Sequence, residues 1–221
     1  RNMRNKKLKA AVIIAMVCML FGGCSRFDAG VYTQAVLDAS YKNQTEDYIE
    51  LTETAKEDAE AFFQKRLNAT MEEFKSEKLS AELENNYRSL FEDVMKQVKY
   101  TVGESKKEED GSYTVNVSVE PVTLFDDTYQ SFQKKAEEYA KSVTERVMDG
   151  EEMPTDEEVQ EEVYKLYYEI LKAELDAGVK YGDVRELTLH IIRTEEGDYE
   201  INSEDLQMLE ENLISRKVMT E

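Results

Sequence analysis

One histidine, His190, and two cysteines, Cys18 and Cys24, are all that this 221-residue chain offers for imidazole or thiol chemistry. His190 is the only side chain whose ordinary pKa lets it trade protons near neutral pH. It lies in RELTLHII, on the strand face opposite Leu187, Leu189 and Ile191. A lone histidine in that setting reads as a surface residue, and no catalytic role is expected of it. Carboxylates are the other acid–base groups, but with 48 of them no pair stands out as a glycosidase pair would. There is no Gly-x-Ser-x-Gly elbow, no phosphate-cradling glycine loop and no His-Glu-x-x-His pair. MDGEEMPTDEE has the composition of a calcium loop, yet its oxygen-bearing residues are out of register with an EF-hand. The expectation is a chain that is not an enzyme and has no metal or cofactor site. EEVYKLYYEIL gathers Tyr164, Tyr167 and Tyr168, with Tyr164 and Tyr168 sharing a face at helical spacing. They read either as rings packed at a helix contact or as a rigid contact patch, since tyrosine supplies contact area at low entropic cost.

Cys24 carries the most specific signal. Residues 1–9, RNMRNKKLK, hold five basic residues and no acid, and Ala10 to Phe21 carry no charge at all. A basic head, a short apolar run and a small-residue exit make the layout of a secretory signal peptide. The run falls well short of the ~20 residues that a helix needs to cross a bilayer. It ends in MLFGGCSRFD, where Leu20, Phe21, Gly22, Gly23 and Cys24 resemble the lipobox of bacterial lipoproteins. That resemblance implies a diacylglyceryl group on the Cys24 sulfur and cleavage between Gly23 and Cys24. Phe21 departs from the aliphatic residue usual three positions before the cysteine. Two acyl chains suffice for stable anchoring where one does not. Cys24 is then an attachment point rather than a nucleophile or ligand. Cys18 falls in the removed segment, so no disulfide is expected.

Charge narrows the partners. The full chain stands at −20, and loss of residues 1–23 removes five basic residues and no acid, leaving −25. Such a surface repels phosphate backbones, so nucleic acid is not an expected partner. Anionic headgroups would repel it too, so the domain should stand off the membrane that its lipid enters. The expected organisation is a signal peptide over 1–23, a lipidated cysteine and short tether over 24–30, and one extracytoplasmic domain over 31–221. Six extended residues from Ser25 to Gly30 reach only ~20 Å, so the domain works close to the membrane.

The elements of that domain show in the periodicity. Apolar residues three and four apart predict helices from Asp28 to about Lys42 and over Glu46–Leu51. A capping-box sequence at Thr54–Glu57 opens a third helix, which faces inward with Ala55, Ala59, Phe62, Phe63, Leu67, Met71 and Phe74. The next starts near Ser80 and presents Leu83, Tyr87, Leu90, Phe91, Val94, Met95 and Val98. The period then drops to two at Val98, Tyr100 and Val102 and at Tyr113, Val115, Val117 and Val119, which predicts a hairpin around GESKKEEDGS that ends at Pro121. A helix through Tyr129, Phe132, Ala136, Tyr139 and Val143 follows. A second capping box, Thr155 to Glu158, opens another that buries Val159, Val163, Leu166, Tyr167 and Ile170 and stops at Gly178. VRELTLHII turns at Glu196-Gly197 and returns through Tyr199 and Ile201, before a last helix marked by Leu206, Leu209 and Leu213. Two lone hairpins would be marginal in water, whereas four strands packed on helices would not. The expected fold is α+β: amphipathic helices on one antiparallel four-stranded sheet built from both hairpins.

FDAGVYTQAVLDASYKNQTEDY and KYTVGESKKEEDGSYTVNVSVEPV resemble a family of lipoproteins of low-GC Gram-positive bacteria. The resemblance spans most of the mature chain and implies a lipid anchor and an envelope location, with no catalytic residues. The expected role is a membrane-anchored, non-catalytic binding module whose partner is an envelope protein or a cell-wall component. The alternative is an envelope hydrolase using paired carboxylates.

Overall fold

The computed structural model describes residues 26–74 and 78–217. Cys24 and Gly23, the residues of the anchor reading, lie outside them. The described chain begins in an aromatic cage. Phe27 stacks on Tyr199 at 4.0 Å between ring centroids and meets Tyr113 and Tyr32 at 5.3 and 5.5 Å. Asp28 then caps helix α1 (Ala29–Leu37), its Oδ1 accepting from the backbone N–H groups of Gly30 and Val31 at 3.0 Å. Within the stretch 24–30, Phe27 and Asp28 are engaged in these contacts and α1 begins at Ala29.

The first helix does not continue to Lys42 in α form. After Leu37 it widens into a π-helix (Asp38–Lys42), closed by Asn43 in the left-handed region at φ 56°. Helix α2 (Glu46–Thr52) follows, then α3 (Lys56–Phe74). The capping box at Thr54 does not form. The Thr54 hydroxyl pairs with that of Thr52 at 2.7 Å, and the first amide bonds of α3 run to the carbonyl of Ala55. Ala55 thus lies exposed at the cap, while Ala59, Phe63, Leu67 and Met71 are buried as expected. Helix α4 (Ala81–Lys96) starts where Ser80 accepts from the Leu83 N–H, and it buries Leu83, Tyr87, Leu90 and Val94.

Strands β1 (Lys99–Lys107) and β2 (Tyr113–Glu120) form the first hairpin, and β3 (Arg185–Arg193) and β4 (Tyr199–Ile201) the second. The two join through antiparallel β2–β3 pairing, from Tyr113 opposite Ile191 to Val119 opposite Arg185, in one sheet of order β1-β2-β3-β4. The α+β expectation holds in full. Tyr113, Val115, Val117, Val119, Leu189 and Ile191 form its buried face, while Asn116, Thr188 and His190 on the other face are exposed. One-sided burial is common in antiparallel sheets. The first hairpin's loop is shorter than the sequence suggests, because β1 runs on to Lys107. A bulge between Val102 and Ser105 breaks the two-residue period there, and bulges leave an extra residue unpaired. Gly103 sits in that bulge, where an added Cβ would lie 3.3 Å from the Asn116 carbonyl oxygen.

Between β2 and β3 the chain makes a long helical hairpin, α5 (Leu124–Met148) and α6 (Asp156–Ala177). Helix α5 begins five residues before Tyr129, burying Leu124 and Phe125 at its first turn. The Thr155–Glu158 capping box forms with both reciprocal bonds, at 2.8 and 3.2 Å, and Gly178 ends α6 at φ 101°. The inward face expected for α6 is only half buried. This helix packs against α5 on one side and α4 on another, so its apolar residues are divided between two contacts. Leu171, outside the expected set, is its one fully buried side chain. Helix α7 (Ser203–Leu213) closes the core with Leu206, Leu209 and Leu213. Among the described residues no helix is long and apolar enough to cross a membrane.

Candidate functional site

The three tyrosines of α6 divide between its two neighbours. Tyr164 and Tyr168 meet the Tyr87 ring of α4 edge-on at 6.0 and 5.6 Å, and Tyr167 meets Phe132 of α5 at 4.5 Å. The Tyr87 hydroxyl donates to the Tyr164 carbonyl at 2.5 Å. All three side chains are half buried. The burial pushes the Tyr167 phenol up to about 12 and raises Tyr87 further, with the neighbouring phenols adding to it. These rings hold α4, α5 and α6 together while staying partly open to solvent.

A polar cluster that sequence reasoning missed is built on the π-helix. An extra residue in a helical turn re-aims the side chains around it, and such turns recur at functional sites. Here Asp38 accepts from Gln34 Nε2 at 3.1 Å and from the Tyr100 hydroxyl of β1 at 2.5 Å. Tyr41 donates to Glu210 of α7 at 3.1 Å, and the Arg66 guanidinium of α3 lies 4.4 Å from the Tyr41 ring centroid while ion-pairing with Glu210. Four elements are thereby tied through polar groups. Arg66 is 8% exposed and Glu210 37%. Burial raises both phenols. Tyr41 moves to about 12 against an opposing pull from Arg66, and Tyr100 goes higher because Asp38 also holds its proton. At physiological pH both are fixed hydrogen-bond donors.

Signals for the cluster were in the sequence. Arg66 stands seven residues after Ala59 and three after Phe63, and Glu210 four after Leu206, so each is a charge on an apolar stripe. Removing one partner of a buried pair strands the other, at roughly 3–5 kcal/mol. Solvent at Glu210 reduces that, so Glu210→Ala should cost about 2–3 kcal/mol. Arg66→Met, which removes the buried charge itself, should cost less. Urea denaturation of the two variants checks the order, and an Arg66→Met variant less stable than Glu210→Ala would contradict it.

His190 projects from the exposed sheet face, 55% exposed, with its Nδ1 2.8 Å from Asp205 Oδ2 of α7. The same carboxylate oxygen accepts the His190 backbone N–H at 2.7 Å, just past the end of the β3–β4 ladder. Asp205 therefore caps a strand edge and orients the ring together. Proximity in sequence gives no hint of this, since the pair spans a hairpin turn. Elsewhere the fold holds the Asp110 carboxyl low through hydrogen bonds from Ser112 and the Lys172 amine high through Asp176. Each of these displacements, like those of the phenols, runs away from neutrality. No group of three or more histidine, cysteine or acidic residues among those described is placed to hold a metal ion.

No family model matches the sequence, and neither does any curated protein. A crystal structure of a candidate lipoprotein, YcdA, from Bacillus subtilis subsp. subtilis strain 168 is similar in fold, with a TM-score of 0.55 and 13% identity over 84% of this chain. The chain covers 55% of that protein, about half its length. At this identity the likeness establishes a shared fold.

Proposed function

We propose that this chain is an extracytoplasmic lipoprotein, held on the outer face of a membrane by lipid on Cys24, whose folded domain is a non-catalytic binding module. One observation carries the reading: a basic head, a twelve-residue apolar run and Gly22-Gly23-Cys24 end three positions before Phe27, whose ring stacks on Tyr199. A cysteine three residues from a packed ring has the spacing of an attachment point. The fold shared with a candidate lipoprotein of a Gram-positive bacterium supports the same reading. The partner is an envelope protein or cell-wall component, met close to the membrane. The solvent-open parts of Tyr164, Tyr167 and Tyr168 offer it rigid contact area, since their rings are already held by Tyr87 and Phe132.

The non-catalytic reading is supported by protonation chemistry. Apart from His190, proton transfer near neutral pH needs a group tuned towards it, by burial or by neighbours. The phenols that this fold displaces move upward, out of that range. The domain from Ser25 onward should show no turnover of peptidoglycan, peptides or esters, and His190→Gln should keep the circular dichroism and melting of the parent. Turnover that disappears in His190→Gln or Asp205→Asn would make the β3–α7 pair a catalytic dyad and overturn this reading.

A further inference from the structure

We infer that the domain is held on the bilayer in a fixed sense, with the end of the sheet that carries both hairpin turns facing the lipid headgroups. The inference rests on the reading that Cys24 is lipidated, and it is carried by the cage around Phe27. Its ring is stacked on Tyr199 with only 9° between planes, and it is flanked by Tyr113 and Tyr32. The Tyr113 and Tyr199 rings also meet each other, at 5.7 Å. The Tyr32 hydroxyl donates to the Tyr199 carbonyl at 3.0 Å, which ties α1 to the same strand. Aromatic contacts of this kind stabilise beyond the area they bury. Phe27 is thus part of the fold, and the anchor cannot swing about it freely.

The register shows which end this is. Tyr113 opens β2 opposite Lys107, and Tyr199 opens β4 opposite Arg193, so both stand beside turns. Tyr113 also pairs with Ile191, which places the two turns at one end of the sheet. At most three residue steps of extended chain lead from Cys24 to Phe27, a reach of about 11 Å. The turn end must therefore stay within that distance of the headgroups. Val184, just before β3 at the other end, lies nine residues along the strand from Arg193, about 30 Å away. Charge does not dictate this sense. Lys106, Lys107 and Arg193 share the turn end with Glu108, Glu109, Asp110, Glu195 and Glu196, a net negative set. The short covalent link sets it, so the orientation should survive high salt.

Glu109, Glu196 and Val184 are all exposed and suit single-cysteine probes, because the lipidated chain has no other free thiol. Full-length protein purified from membranes, carrying a fluorophore at one of the three, is floated with phosphatidylcholine–phosphatidylglycerol vesicles containing headgroup spin-labelled lipid. With ~30 Å between the ends, quenching at Glu109→Cys and Glu196→Cys should exceed that at Val184→Cys by roughly threefold or more. Inserting eight Gly-Ser residues between Ser25 and Arg26 leaves every packed residue in place and should flatten the difference. Phe27→Ala should flatten it partly. A chain that floats but quenches equally at both ends, or more strongly at Val184→Cys, overturns the orientation and leaves the anchor standing. A chain that does not float overturns the anchor, and the orientation with it.

Discussion

Above pH 10 the protein should unfold over a narrow interval, with its buried phenols ionising as the structure is lost rather than before. Tyr41, Tyr87 and Tyr100 are each less than a tenth exposed, and burial favours the neutral phenol. Tyr41 is raised to about 12 and the other two further, Tyr100 by its bond to Asp38 and Tyr87 by neighbouring phenols. The native state therefore holds these protons more tightly than the unfolded chain does. Stability is complete below the unfolded phenol pKa near 10 and falls as pH rises towards the folded values. Each such group contributes a slope of about 1.4 kcal/mol per pH unit, so three give about 4. A domain with ~5–15 kcal/mol of stability loses it within roughly one to four units. Tyrosinate absorbance and far-ultraviolet circular dichroism, followed together, check this. The cluster account predicts one shared transition, in which the buried phenols ionise as the circular dichroism is lost. Smooth titration of all 13 tyrosines with the circular dichroism intact would contradict it.

Cys24→Ser should release the protein from the membrane fraction. A serine oxygen does not replace the thiol in the lipidation that the Leu20–Cys24 stretch resembles, so the variant keeps its signal segment or is cut elsewhere. Each buried methylene of an acyl chain contributes about 0.8 kcal/mol, and two chains make attachment effectively stable. Without them, a domain at −25 has nothing to hold it against anionic headgroups. The expected shift is from nearly all membrane-bound to mostly soluble or secreted protein. The folded domain should be unaffected, because the substitution leaves the cage around Phe27 intact. Fractionation of cells followed by washing at high salt reads the outcome. Equal retention of wild type and Cys24→Ser would mean that some other feature holds the protein at the membrane.

The sheet was legible in the sequence because its two hairpins alternate cleanly on the face that meets the core. Val115 and Val117, paired with Leu189 and Leu187, leave little freedom of register. Helix faces with one neighbour, such as Leu206, Leu209 and Leu213 of α7, were equally plain. Reading failed where a local rule met a tertiary demand. In α6 two neighbours share one helix, so no single stripe is buried and Leu171 alone is enclosed. At Gly103 a bulge resets the alternation, and a strand therefore looked like a loop. At Asp38–Lys42 the π-turn has no local sequence signature, because it follows from the contacts of Tyr41 and Asp38 with α7 and β1. The candidate site divides in the same way. Gly22-Gly23-Cys24 is a contiguous signal, whereas Arg66 with Glu210 and His190 with Asp205 join residues brought together only by the fold.

The mass of the N-terminal peptide from membrane-purified wild-type protein tests the central claim most directly. The anchor account predicts a chain whose first residue is Cys24, followed by Ser25-Arg26-Phe27, with a diacylglyceryl thioether on its sulfur. A peptide that begins after Cys24, or one that carries Cys24 as a free thiol, would contradict it.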